Sequence, residues 1–257
     1  PCTQEEREAG NRALRLSASA QAEAIDQHAL WTLPELDTDG NERFLVQRDY
    51  VIAYDDDLRV PLWTVHRLDP ERLRPMDRIN CFRADERLAE EAQSRLSDYR
   101  EPTYDQGHLV PSADMEISVT VNVNSFVLSN MAPQYAGFNR GTWESLEGIV
   151  RTWARSDGDL YVISGSVFDR DSDGERDADT SARRMLSNNG RRKADQVDKA
   201  NPRAANDHGH ILEIAPKDGD HASVEGTWSI FLLAGKPGHD AGARYHRATS
   251  ENGWLSC

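Results

Sequence analysis

Apolar residues at Trp143, Leu146, Val150 and Trp153 recur at steps of three, four and three, the period of an α-helix. The pattern predicts an amphipathic helix opened by Asn139 as its N-cap. At about 100° per residue, Asn139, Trp143, Glu147 and Arg151 form a row along one edge of the apolar stripe. Glu147 precedes Arg151 by four positions, the favourable order for a helical ion pair. Taken alone, that row is an ordinary solvated helix edge.

Elsewhere the alternation is strand-like. Residues 104–111 alternate weakly, and Gly107 permits a close backbone approach beside His108. Residues 44–54 and 60–68 read as a hairpin joined by the acidic turn Asp55-Asp56-Asp57, and 160–168, 210–215 and 227–234 as three further strands. Residues 4–28, rich in Ala and Glu, predict an N-terminal helical extension; residues 84–98 predict a charged helix. Neither an internal repeat nor a low-complexity linker divides the chain. The expectation is one α+β domain over residues 1–257, a mostly antiparallel central sheet with flanking helices.

Composition narrows this picture. No apolar run approaches the roughly 20 residues of a membrane-spanning helix, so no membrane partner is expected. The chain opens at Pro1, and a signal segment preceding it, with a secreted or periplasmic protein, is the expected context. Three cysteines, Cys2, Cys81 and Cys257, lack any CxxC spacing and so make no metal cluster. Because chain ends tend to lie close together, a Cys2–Cys257 disulfide is the favoured pairing. Cys2–Cys81 is the competitor, and three reduced thiols a third reading.

The net charge is −14, unfavourable for a polyanionic partner unless basic groups are concentrated locally. The long loop 169–205 is acidic first and basic afterwards. Asp169, Asp171 and Asp173, then Gly174 and Glu175, reproduce the first half of a Ca²⁺ loop, although position twelve is Thr180 and not the usual glutamate. A solvated acidic turn and a Ca²⁺ site are equal readings there. The weaker echo at Asp37-Thr38-Asp39-Gly40 reads as a turn. Further on, Arg183, Arg184, Arg191, Arg192, Lys193, Lys199 and Arg203 face only Asp195 and Asp198, a candidate contact to a phosphate backbone.

The candidate chemistry lies between residues 104 and 155. Histidine is the side chain best suited to take a proton from water near neutral pH. Mg²⁺ prefers oxygen and keeps several waters, so one amide oxygen plus substrate phosphate can hold it, and Asn139 offers such an oxygen. The cation would polarise a phosphoryl oxygen while His108 activates water.

Three motifs in this order resemble those of the DNA/RNA non-specific endonucleases of the ββα-metal type. Asp105-Gln106-Gly107-His108 is similar to the family's Asp-Arg-Gly-His motif. Ser129-Asn130-Met131-Ala132-Pro133-Gln134 is similar to its Ser-Asn-x-x-Pro-Gln element. Asn139 through Glu147, with Arg151 one turn on, is similar to its helix start. The resemblance implies a Mg²⁺- or Mn²⁺-dependent enzyme cutting phosphodiesters in DNA and RNA with little base preference. It implies His108 as general base and Asn139 as metal ligand. Glu147 would organise metal-bound water, Arg151 would face the phosphate, and Asn130 and Gln134 would fix the site. Gln106 stands where the family has arginine, and a neutral amide cannot supply that positive fork. A nuclease fold weakened to a binding protein and a phosphodiesterase for small nucleotides are the alternatives.

Overall fold

A computed structural model describes residues 1–29, 33, 42–99, 104–166, 210–214 and 228–234. Eight strands lie among them: β1 (Glu42–Val46), β2 (Val51–Asp55), β3 (Val60–Leu68), β4 (Tyr104–His108), β5 (Met131–Tyr135), β6 (Leu160–Ser166), β7 (His210–Ile214) and β8 (Trp228–Ala234). Six form one sheet in the order β1-β2-β3-β6-β8-β7, every neighbouring pair antiparallel. β4 and β5 make a separate antiparallel ribbon, with His108 opposite Met131 and Asp105 opposite Gln134. The helices are α1 (Gln4–Ala13), α2 (Ala18–His28), α3 (Val119–Ser125) and α4 (Glu144–Asp157). The fold is α+β, as expected.

β3 and β6 are neighbours in the sheet, and the chain between them carries the ribbon, α3 and α4. What holds this excursion down is the apolar stripe of α4. Trp143, Leu146 and Val150 are buried with Leu68 and Leu160 of the sheet and with Leu109 and Ala132 of the ribbon region. Burying each large apolar side chain contributes about 1.5–3 kcal/mol. The helix that carries Glu147 and Arg151 is therefore fixed against both the sheet and the ribbon.

The N-terminal extension is docked, not loose. Thr3 and Glu6 form a capping box at the start of α1. At Gly10 a Cβ would meet Arg83 Nη2 and Asn124 Oδ1 at 2.8 Å, so a side chain there would keep α1 from its seat. His28, at the end of α2, bonds the Arg48 carbonyl through Nε2 (2.9 Å) and accepts the Arg67 N–H at Nδ1 (3.0 Å). A disulfide joins Cys2 to Cys81. This corrects the favoured Cys2–Cys257 pairing: α1 packs on α3, beside the segment carrying Cys81, and that brings Cys2 to it.

Three elements differ from expectation. The run 44–54 is two strands, because residues 47–50 turn the chain and the Gln47 N–H closes on the Tyr50 carbonyl at 2.9 Å. Residues 84–98 form no α-helix, only short 3-10 turns at Glu90–Ala92 and Leu96–Tyr99. Other bonds take the groups a helix would need: locally Asp85 accepts the Arg87 N–H (3.1 Å), and across the fold the Ala92 carbonyl accepts Tyr54 Oη–H (2.9 Å). Finally, Asn139 is not an N-cap. It sits inside a π-helical turn, Phe138–Trp143, that leads into α4. Such turns are rare and concentrate at functional sites.

Candidate active site

β4 presents His108 between two aromatic rings, Phe126 at 4.8 Å and Phe82 at 5.8 Å, both edge-to-face. Only 7% of the residue is exposed. Burial, and secondarily the positive charge of Arg78, pushes its pKa down to about 3, so the imidazole is neutral at physiological pH. The ring hydrogen-bonds the Gln106 backbone, while Nε2 has no partner among the described residues. The bond therefore belongs to Nδ1, whose proton goes to the carbonyl, and the lone pair sits on Nε2. That is the tautomer a general base requires.

The π turn is tied to the same strand twice. Trp143 donates Nε1–H to the His108 carbonyl at 3.2 Å. Asn139 donates Nδ2–H to Asp105 Oδ2 at 2.9 Å, which fixes the amide by its nitrogen and leaves Oδ1 for an electrophile. Arg140 grips the same carboxylate with two bonds, at 2.8 and 2.6 Å. Partial burial works to raise the Asp105 pKa, but the bonds from Arg140 and Asn139 outweigh it and hold the carboxyl below its usual range. Asp105 was not among the residues singled out from the sequence, although its place at the head of the Asp-Gln-Gly-His motif is a signal for it.

On α4, Glu147 is pushed up to about 8, chiefly by burial and then by the nearby Asp114 carboxylate. Its contact with Arg151 is long, 3.9 Å, because Arg151 bonds Asp114 Oδ1 at 2.9 Å instead. The other oxygen of Asp114 meets Nε2 of the fully buried His66 at 3.0 Å. Arg151 is thus held by a His66–Asp114 pair that no sequence motif announced.

The two expected amides divide in role. Asn130 is fully buried, and its amide is spent on backbone. Oδ1 accepts the Val110 N–H (3.0 Å), and Nδ2 donates to the carbonyls of Val110 (3.0 Å) and Ser125 (2.9 Å). It positions the chain just after His108. Gln134 is buried, and neither of its amide atoms is bonded among the described residues. Its side chain lies over Gly107, where a Cβ would meet Gln134 Cδ at 2.2 Å, so only glycine fits.

Among the described residues no three His, Cys, Asp or Glu side chains cluster as a metal cage. The donors present, an oriented amide oxygen and a carboxylate whose raised pKa a nearby cation would lower, fit a hard ion that keeps most of its water. The candidate Ca²⁺ ligands Asp169, Asp171, Asp173 and Glu175, the echo at Asp37, and the basic Arg183, Arg184, Arg191, Arg192 and Lys193 lie outside the described residues.

Residues 31–202 match the family model described as DNA/RNA non-specific endonuclease, over half of the chain. The chain belongs to that family. A second model, alkaline phosphatase PhoX, matches residues 165–257, which lie almost wholly outside the described structure. Similar proteins include human mitochondrial Endonuclease G, 38% identical over 124 residues, 48% of this chain and 42% of that protein. Nuclease C1 of Cunninghamella echinulata is 35% identical over 130 residues, 49% of this chain and 52% of its own. The chain spans about half the length of these curated relatives. In the solved structure of an EndoG/EndoGI complex, one chain superposes with a TM-score of 0.50 at 30% identity, covering 63% of this chain and 65% of that one.

The relatives also correct the expected location. Those from human, cattle, Saccharomyces cerevisiae, Schizosaccharomyces pombe and Caenorhabditis elegans are named as mitochondrial, against the secreted or periplasmic reading.

Proposed function

We propose that this endonuclease-family chain hydrolyses phosphodiester bonds in DNA and RNA, with His108 as general base and Asn139 as the direct ligand of one Mg²⁺ or Mn²⁺. The observation that carries the reading is the neutral, buried His108 whose Nδ1 is anchored and whose Nε2 lone pair is unclaimed. In this mechanism Nε2 takes a proton from water as the water oxygen attacks phosphorus and the bond to the leaving sugar oxygen breaks. A pKa near 3 makes a weak base, but a phosphate anion arriving beside the imidazole raises it. When bound, the cation supplies Lewis-acid stabilisation of the departing oxygen. Asp105 holds the Asn139 amide by its nitrogen, so Asn139 Oδ1 would hold the cation, and Glu147 would hydrogen-bond the water that the cation keeps.

The groups named address phosphate and metal, not base edges, which supports cleavage with little base preference. The basic segment 183–203 is proposed as a backbone contact, and Asp169, Asp171, Asp173 and Glu175 as a Ca²⁺ loop, on sequence alone. A plasmid-nicking assay with and without EDTA tests the reading. Nicking that EDTA stops and His108→Ala loses is the expected result. Binding of plasmid without nicking at any Mg²⁺ or Mn²⁺ concentration would establish the weakened binding protein instead.

A further inference from the structure

A glutamate four residues before an arginine is the order a helix favours for an ion pair, so Arg151 left to α4 alone would close on Glu147. It does not. Arg151 Nη1 stands 3.9 Å from Glu147 Oε2, beyond hydrogen-bond range, and donates to Asp114 Oδ1 at 2.9 Å. A carboxylate from outside the helix has taken the arginine from the one inside it.

Asp114 is placed to win that competition. Its side chain is 3% exposed, against 15% for Glu147, so water and salt screen its charge less. Its N–H bonds the Pro111 carbonyl at 3.1 Å in the 3-10 turn Ser112–Asp114, and Asn122 Nδ2–H holds the Ser112 carbonyl at 3.0 Å. Its second oxygen, Oδ2, accepts Nε2–H of His66 at 3.0 Å. His66 is fully buried on β3, two residues before Leu68 and so on the same face of the sheet. That face packs against α4, since Leu68 is buried with Leu146 and Val150. The sheet thus fixes Oδ2, and Oδ1 is aimed at Arg151.

The consequence falls on Glu147. An arginine bonded to it would occupy its oxygens and set a positive charge where the water of a cation must approach. We propose that Asp114, pinned by His66, is a positioning residue: it withholds Arg151 from Glu147 and so keeps the Glu147 carboxyl for the water of a bound cation. The assignment rests on the nuclease reading above.

The test is a double-mutant cycle on Asp114→Asn and Arg151→Ala. It reads the Kd of Mn²⁺ alone, by calorimetry on protein free of nucleic acid, and kcat/KM on duplex DNA at limiting Mn²⁺, with Tm alongside. Asp114→Asn keeps the shape of the side chain and removes the charge that competes with Glu147. Arg151 should then close on Glu147, and the Mn²⁺ Kd should rise about tenfold, within the range for coupled neighbours, with kcat/KM falling in step. On the Arg151→Ala background the same substitution should change Kd by less than about twofold, because no arginine remains to be misplaced. His66→Leu, which frees Oδ2, should raise Kd by less than Asp114→Asn does. His66→Gln, whose amide can still donate to Oδ2, should recover part of that rise. A pair with a structural role alone would lower Tm and leave Kd where it was.

Two results with an active wild type overturn the assignment and leave the nuclease reading standing: a Kd for Asp114→Asn within about twofold of wild type, or the same rise in Kd with and without Arg151. Should Asp114→Asn fail to fold, the His66 variants decide, and an unchanged Kd in His66→Leu overturns it. An inactive wild type overturns both.

Discussion

His28 and His108 are both buried, and burial lowers the pKa of each, to about 4 and about 3. They differ in what their nitrogens touch. Both ring nitrogens of His28 are bonded to backbone, pinning α2 to the sheet, whereas Nε2 of His108 has no partner among the described residues. The regions around them follow suit. On the N-terminal side Arg83 bonds Asn11, Asn124 and the Val123 carbonyl, and Asp85 bonds Arg87 and Ser129. Around the ribbon, three of the six buried atoms without a partner among the described residues belong to His108 and Gln134. A buried polar group left unpaired costs about 1–3 kcal/mol. Half of that cost falls at the ribbon, where an incoming phosphate or water could supply the missing partners.

The sharpest way to break the contrast is to remove each histidine. His108→Ala should lower kcat by about 10²–10⁴, the usual weight of a general base, with little loss of Tm. His28→Ala should do the reverse, lowering Tm through lost packing and two lost backbone bonds while the folded enzyme cleaves normally. Steady-state kinetics and thermal melts on both variants check the pair.

Next in size is the staple of the paired side. Cys81→Ala removes a bridge between residues 79 apart in sequence, and should cost about 2–4 kcal/mol in urea unfolding. Gly107→Ala drives a Cβ into Gln134 and should cost about 1–3 kcal/mol, the range for overpacking, with a matching fall in activity because His108 is the next residue. Smallest are the metal-side effects. Asn139→Ala should raise the Mg²⁺ concentration giving half-maximal cleavage, and Glu147→Ala should raise it less; equal midpoints for all three proteins would remove the ligand assignment.

Much of this architecture was legible in the sequence, and unevenly so. The stripe Trp143, Leu146, Val150 and Trp153 gave α4 its buried face because periodicity reports burial directly. The motifs placed His108 and Asn139 on elements that meet through Asp105 and Trp143. Hidden were contacts made at long sequence separation. Asp114 reaches His66 and Arg151, Cys2 pairs with Cys81, and Arg78 lies over Phe126. The segment 84–98 had helical spacing, but Asp85, Leu88 and Ala92 are claimed by the core, and tertiary bonds overrode local preference.

The proposed mechanism needs His108 to be buried as a neutral base, and the unfolding free energy of wild type and His108→Ala at pH 8 and pH 5 tests that most directly. The folded pKa, about 3, lies below the ordinary histidine value of 6.5. Between those values the unfolded chain binds the extra proton, so this contribution to stability is present above pH 6.5 and is lost as pH falls towards 3. Wild type should therefore lose about 2 kcal/mol more than His108→Ala on going from pH 8 to pH 5. An equal loss in the two proteins would mean that the imidazole titrates in the fold as it does in water, and the buried base would be contradicted.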